Sequence, residues 1–287
     1  MKSFQYLRPE TLNNALAMLG QFGDGAKPLL GGTDLMVRIQ KGQEDLDAVI
    51  DLKRVQDISS VIEAGAGIIT VGARVVLSDL VRNKQIQKFF PALAEAAQAV
   101  GSVQIRNRAT LVGNICNASP AADTVPALIV YGASVTVAGR SGKRSVLLKD
   151  FFLGPGKTVC GPSELVVSVQ IPLPGEPFGA AFGRLTRRRG VDLATINMAC
   201  GIDMKSITTF VFGAVGPTPI IASDESGNLA RADLPELQRD EILKSLIKQT
   251  SPISDVRAGK KYRQAMLLSI GRSVLFQAQQ RYNSRAG

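Results

Sequence analysis

Apolar residues in this chain fall in short runs broken by glycine or proline, and strand-like runs are interleaved with segments at helical spacing. No window of ~18 uninterrupted apolar residues occurs, and Met1-Lys2-Ser3-Phe4-Gln5-Tyr6 has no apolar stretch behind its lysine. Neither export nor a membrane span is therefore expected, and the chain reads as a cytoplasmic polypeptide. At 287 residues it can bury roughly three quarters of its unfolded surface. The most heavily punctuated stretch, Pro172-Leu173-Pro174-Gly175-Glu176-Pro177, marks where it should divide into two large units.

Thr11 is placed to cap a helix whose face is Leu12, Ala15, Leu16 and Leu19, with Gly20 as its stop. Ala26 to Leu30 is an apolar run carrying Pro28, so it belongs at a sheet edge. Ala48 to Leu52 and Gly67 to Gly72 read as strands. Ser78 should cap a helix through Phe89, and Pro91 opens another that ends at Gly101. Further on come a short helix at 125 to 130, a hairpin turning at Arg140-Ser141-Gly142-Lys143, and a strand at 165 to 171. Residues 182 to 215 are β-rich, followed by a polar stretch at 223 to 233. Helices are expected over 234 to 250 and 260 to 282.

The chain has no histidine, which removes the commonest general base and the commonest metal ligand. Its three cysteines, Cys116, Cys160 and Cys200, form no CxxC pair and are too few for a four-cysteine cluster. Chemistry carried by a bound cofactor is therefore expected, with no catalytic side chain and no metal site in this chain. The net charge of +10 favours anionic partners such as phosphates, an acidic protein or nucleic acid. Nucleic acid is the weakest of these, because the sequence lacks tryptophan, basic-aromatic interleaving and zinc-finger spacing.

Two glycine loops are the candidate site. Leu29-Leu30-Gly31-Gly32-Thr33-Asp34 runs from a strand into a double glycine that can turn successive N–H groups toward one point, a nest suited to phosphate. Thr33 offers a hydroxyl donor, and Asp34 suits a sugar hydroxyl or a backbone N–H. A plain tight turn would use the same residues. The second loop, Thr110 to Asp123, concentrates small polar residues without obvious structure of its own, as functional loops do. Asp123 can bind a ribose or ribityl hydroxyl, or simply cap the following helix. Neither loop is GxGxxG opening a helix or GxxxxGK[ST].

Taken in order, Leu30-Gly31-Gly32-Thr33-Asp34, Gln104-Ile105-Arg106-Asn107, Thr110-Leu111-Val112-Gly113-Asn114 and Ala118-Ser119-Pro120-Ala121-Ala122-Asp123 resemble the FAD-binding medium subunit of the molybdenum hydroxylases, the xanthine and carbon monoxide dehydrogenase type. Gly161 to Leu165, Arg188 to Ala194 and Gly213 to Pro219 extend the resemblance over nearly the whole chain. It implies an α+β, PCMH-type FAD-binding fold of two subdomains, 1–57 and 58–174, followed by a smaller α+β carboxy-terminal domain, 175–287.

The resemblance also implies that the loop from Leu29 through Leu35 and the loop at Thr110, Gly113 and Asn114 clasp the FAD pyrophosphate, with Asp123 on a cofactor hydroxyl. Asn117 and Val166 would lie beside the cofactor, and Arg184 would take the place of a family lysine. Val112 stands where the family usually carries a glycine. Arg187, Arg188 and Arg189 form a basic cluster that either meets a phosphate or a partner, or is a solvated turn.

In function, the resemblance implies FAD in this chain, a molybdopterin cofactor in a large partner subunit, and [2Fe–2S] clusters in a small one, as a heterotrimer or its dimer. Electrons would leave through the flavin to NAD, a quinone or dioxygen. Three cysteines do not fit the branch whose flavin subunit carries an additional [4Fe–4S] cluster. The alternatives are a redox-inactive binding protein on the same fold and a stand-alone flavin oxidase.

Overall fold

The computed structural model describes residues 3–188 and 190–286, so Arg189 of the basic cluster, like Met1 and Lys2, lies outside the described residues. It opens with a three-stranded parallel sheet in the order β1-β3-β2: β1 is Gln5–Leu7, β2 Ala26–Leu29 and β3 Ala48–Asp51. Helix α1 (Leu12–Phe22) crosses from β1 to β2 and buries Leu12, Ala15, Leu16 and Leu19. Thr11 caps it by accepting the Asn14 N–H. The helix runs past Gly20 and stops at Gly23, whose φ of 54° breaks it. β2, with Pro28, lies at a sheet edge as its sequence requires, and α2 (Leu35–Gln40) follows the glycine loop.

A five-stranded antiparallel sheet, β4-β5-β10-β6-β7, forms the centre of the molecule. Its strands are β4 (Ile62–Gly65), β5 (Ile68–Gly72), β6 (Ser134–Gly139), β7 (Gly142–Leu147) and β10 (Leu165–Pro172). Between β5 and β6 lie α3 (Leu77–Arg82), α4 (Lys84–Phe89), α5 (Pro91–Ala99), α6 (Val103–Arg106), α7 (Leu111–Cys116) and α8 (Thr124–Val130). Ser78 does not cap a helix through Phe89. It sits inside α3 and bonds Asn107, and the segment breaks at Asn83, whose side chain accepts the N–H groups of Gln85 and Ile86 to start α4. A short hairpin, β8 (Phe152–Gly154) and β9 (Lys157–Thr158), precedes β10.

The carboxy-terminal part is an antiparallel meander of β11 (Gly179–Leu185), β12 (Ile196–Ile202), β13 (Thr208–Gly213) and β14 (Ile220–Asp224), covered by α9 (Glu236–Ile247) and α10 (Lys260–Ala286). Side chains alternate across a strand, and β12 is buried on both faces. Ile196, Met198, Cys200 and Ile202 enter the core under α9 and α10, while Ala199 joins the core of the central sheet. On β11, Gly179 and Gly183 lie under α10, where a Cβ at Gly179 would come within 2.2 Å of the Ala278 carbonyl oxygen. Arg184 and Asn197, paired in register, therefore face the other way, toward α5 and the loop before α8. No helix among the described residues is long and apolar enough to cross a membrane.

Candidate flavin site

The two glycine loops meet. A Cβ on Gly31 would lie 2.2 Å from the Arg108 carbonyl oxygen and 3.0 Å from the Ala109 Cα, so only glycine allows the first loop to touch the backbone leading into the second. Gly32 follows with φ 72°, the left-handed conformation that turns the chain toward α2. Among the described residues, nothing hydrogen-bonds the backbone N–H groups of Gly31, Gly32, Thr33 and Asp34.

The second loop is not structureless. Thr110 is the N-cap of α7, its side chain accepting the Gly113 N–H at 2.9 Å, and its backbone bridges to Val76 of the segment before α3. Thr110 to Asn114 are thus the first turn of a helix braced on both sides. Val112 sends its side chain into the main core, and this accommodates a non-glycine residue there. Asn114 accepts the Thr124 hydroxyl at 2.7 Å, tying α7 to α8. Asn117 bonds Arg38 of α2, which also pairs with Glu44 at 3.2 Å.

Asp123 does not cap α8, because its carboxylate is engaged from the carboxy-terminal sheet instead. Arg184 meets one oxygen at 2.5 Å and Asn197 the other at 2.9 Å. Burial, to 7% exposure, pushes the Asp123 carboxyl up, against the pull of the Arg184 charge and the hydrogen bonds from Asn197 and Arg184.

These residues border one cleft of about 1020 Å³, at the upper end of the range for cofactor sites. Leu29, Leu30, Gly31, Gly32, Thr33, Asp34, Leu35, Thr110, Gly113, Asn114, Asn117, Asp123 and Val166 all line it. Arg184 does not; it stands behind Asp123. The sequence reading missed Lys27, Arg38 and Lys157, cations on the cleft wall, as well as the exposed Leu153 and Leu193. Single lysines and Leu153, outside any motif, carry no signal that marks them in advance, while Leu193 lies in the Arg188 to Ala194 stretch but is given no role there. Arg188 also reaches the cleft, while Arg187 pairs with Asp192 at 3.0 Å.

Residues 2–174 match the family described as the FAD binding domain in molybdopterin dehydrogenase, and residues 181–278 match the CO dehydrogenase flavoprotein C-terminal domain. The chain belongs to this flavoprotein family. It is an oxidoreductase subunit of the medium, FAD-binding kind. Similar proteins include the xanthine dehydrogenase FAD-binding subunit of Escherichia coli O157:H7, 28% identical over 95% of both chains. The carbon monoxide dehydrogenase medium chain of Afipia carboxidovorans is 30% identical over 92% of both. Among solved structures, a reconstituted CO dehydrogenase from Oligotropha carboxidovorans matches with a TM-score of 0.90 at 27% identity, covering 98% of this chain and 99% of that one.

FAD, the family's cofactor, fits the residues present. The Gly31 close approach and the unengaged N–H groups beside it make a backbone cradle for a diphosphate, and lysine and arginine on the wall complement its charge. Asp123 keeps acceptor capacity for a hydroxyl after its two internal bonds are counted.

Proposed function

We propose that this chain is the electron outlet of a heterotrimer, taking electrons from a small [2Fe–2S] subunit and passing them to an external acceptor, NAD, a quinone or dioxygen. Substrate oxidation would then occur on a large molybdopterin-binding subunit, and the trimer could double. The observation that carries this reading is the cleft itself, where the Gly31 loop meets the α7 turn at backbone distance and no histidine is available for acid–base work. Bound FAD supplies the ability to accept electrons singly and release them as a pair.

The chain's own residues bind and orient. Gly31 to Asp34 and the α7 turn from Thr110 to Asn114 hold the diphosphate, Asp123 accepts a cofactor hydroxyl, and Val166 and Asn117 pack alongside. Residues 1–57 and 58–174 form the two flavin-binding subdomains, and 175–287 the carboxy-terminal domain. The test is to purify the tagged chain from its native cells and identify what accompanies it. The expected result is a complex containing FAD, molybdenum and iron–sulfur chains, whose flavin absorbance bleaches on adding the substrate of the large subunit. An isolated chain whose flavin is reduced directly by a small substrate would make it a stand-alone oxidase. A colourless, solitary chain would leave a redox-inactive binding protein.

A further inference from the structure

The Asp123 carboxylate is held by residues that never reach the cleft. Arg184 and Asn197 are register partners on β11 and β12, on the sheet face turned away from α10. Arg184 Nη1 donates to Asp123 Oδ2 at 2.5 Å and to the Ala99 carbonyl at the end of α5 at 2.6 Å, and Nη2 donates to the Asp192 carbonyl at 3.1 Å. Asn197 Nδ2 takes Asp123 Oδ1 at 2.9 Å and the Ala121 carbonyl at 3.3 Å. Its own Oδ1 is buried with no hydrogen-bond partner among the described residues, and a Cβ at Gly213 would lie 2.0 Å from it. Flipping the amide would set oxygen against a carboxylate and a carbonyl, so its direction is fixed by Asp123.

One guanidinium thus fastens three things: the acceptor on the cleft wall, the end of α5, and the loop that carries Val191, Asp192 and Leu193 along the same cleft. We propose that Arg184 and Asn197 are positioning residues for the flavin site, fixing Asp123 as an oriented, ionised acceptor for a cofactor hydroxyl. This rests on the reading that the cleft holds FAD. It assigns Arg184 an action through Asp123 and not on the cofactor directly. Arg184 is the one charged side chain that bears on Asp123 among the described residues, the other polar contact being the neutral Asn197.

The test is FAD titration of the full chain across acidic to neutral pH, for the wild type, Arg184→Gln, Arg184→Lys, Asp123→Asn and the Arg184→Gln/Asp123→Asn double variant. Arg184→Gln is expected to weaken binding about tenfold or more, the loss of a charged hydrogen bond, and to move the acid limb of affinity to higher pH, because the cation that counters the upward push of burial on the carboxyl is gone. Arg184→Lys keeps the charge and should keep the limb near the wild-type position while losing the fork geometry. In the Asp123→Asn background the acid limb disappears, and Arg184→Gln adds little further loss. If Arg184→Gln does not fold, Arg184→Met, which keeps an apolar stem and removes the charge, makes the same comparison in both backgrounds. An unmoved acid limb, or equal losses from Arg184→Gln in both backgrounds, overturns the positioning role and leaves the cleft reading intact. A wild-type chain that binds no FAD at any pH overturns both.

Discussion

Gly31 is the residue on which the cleft turns. Its missing Cβ is the space taken by the Arg108 carbonyl, and both atoms of that contact are backbone, so no side-chain rotation can relieve a substitution. Gly31→Ala is expected to cost about 1–3 kcal/mol of stability by overpacking and to weaken FAD binding by forcing the two loops apart. Gly65→Ala, with nothing within 4 Å of its Cβ, should change neither. Thermal melts and FAD titrations of the two variants side by side check this. The sequence showed that Gly31 and Gly32 were special but not against what, because the neighbour is Arg108, far along the chain. Asp123 was ambiguous for the same reason. Whether a carboxylate caps its own helix or serves a site depends here on Arg184 and Asn197, on strands that local pattern cannot bring beside it.

Regular elements were the most legible. Thr11, Pro28 and Pro91 act where local stereochemistry says they should, and the helices beyond the Pro172 to Pro177 segment lie where periodicity puts them, while the β-rich part runs past its expected end near Val215 to include β14. What escaped was competition between neighbouring caps, with Asn83 displacing Ser78, and the short α7 hidden among small polar residues. Helix α10 also buries a charge that helical spacing alone does not announce. Among its basic residues, Arg263 is 1% exposed and donates to the Thr195 and Ala214 carbonyls and to Asp255.

Asp255 in turn shapes the loop entering α10. Burial pushes its carboxyl up, but the N–H groups of Arg257 and Ala258 and the Arg263 guanidinium outweigh this and hold it at about 2, below the ordinary 3.8. A depressed folded value means stability that is fully present above about pH 4 and lost as pH falls toward about 2. Asp255→Asn should therefore lower stability at neutral pH by about 1–3 kcal/mol and flatten the acid limb between those values. Denaturant unfolding at a series of pH values reads both effects.

The whole molecule is bound together more closely than its punctuated sequence implies. The segment from Pro172 to Pro177 does join the five-stranded sheet to the meander, but Ala180 and Ala199 of the meander enter the central core, and the meander packs on α5 and α8. Gly201 makes room for Val130 of α8, and Arg281 of α10 pairs with Glu95 of α5. Small residues at β positions look like weak strand formers in a sequence, whereas here Gly201 of β12 makes room for α8, and Gly179 and Gly183 of β11 for α10. The full chain should accordingly unfold in a single calorimetric transition, and two resolved transitions would show that the meander is stable on its own. FAD in the cleft between the Gly31 and Thr110 loops is the point on which the rest depends. Its most direct test is the visible spectrum and flavin content of the purified full chain. Flavin bands with FAD equimolar to protein are the expected result; a colourless chain that takes up no FAD when titrated with it would contradict the account.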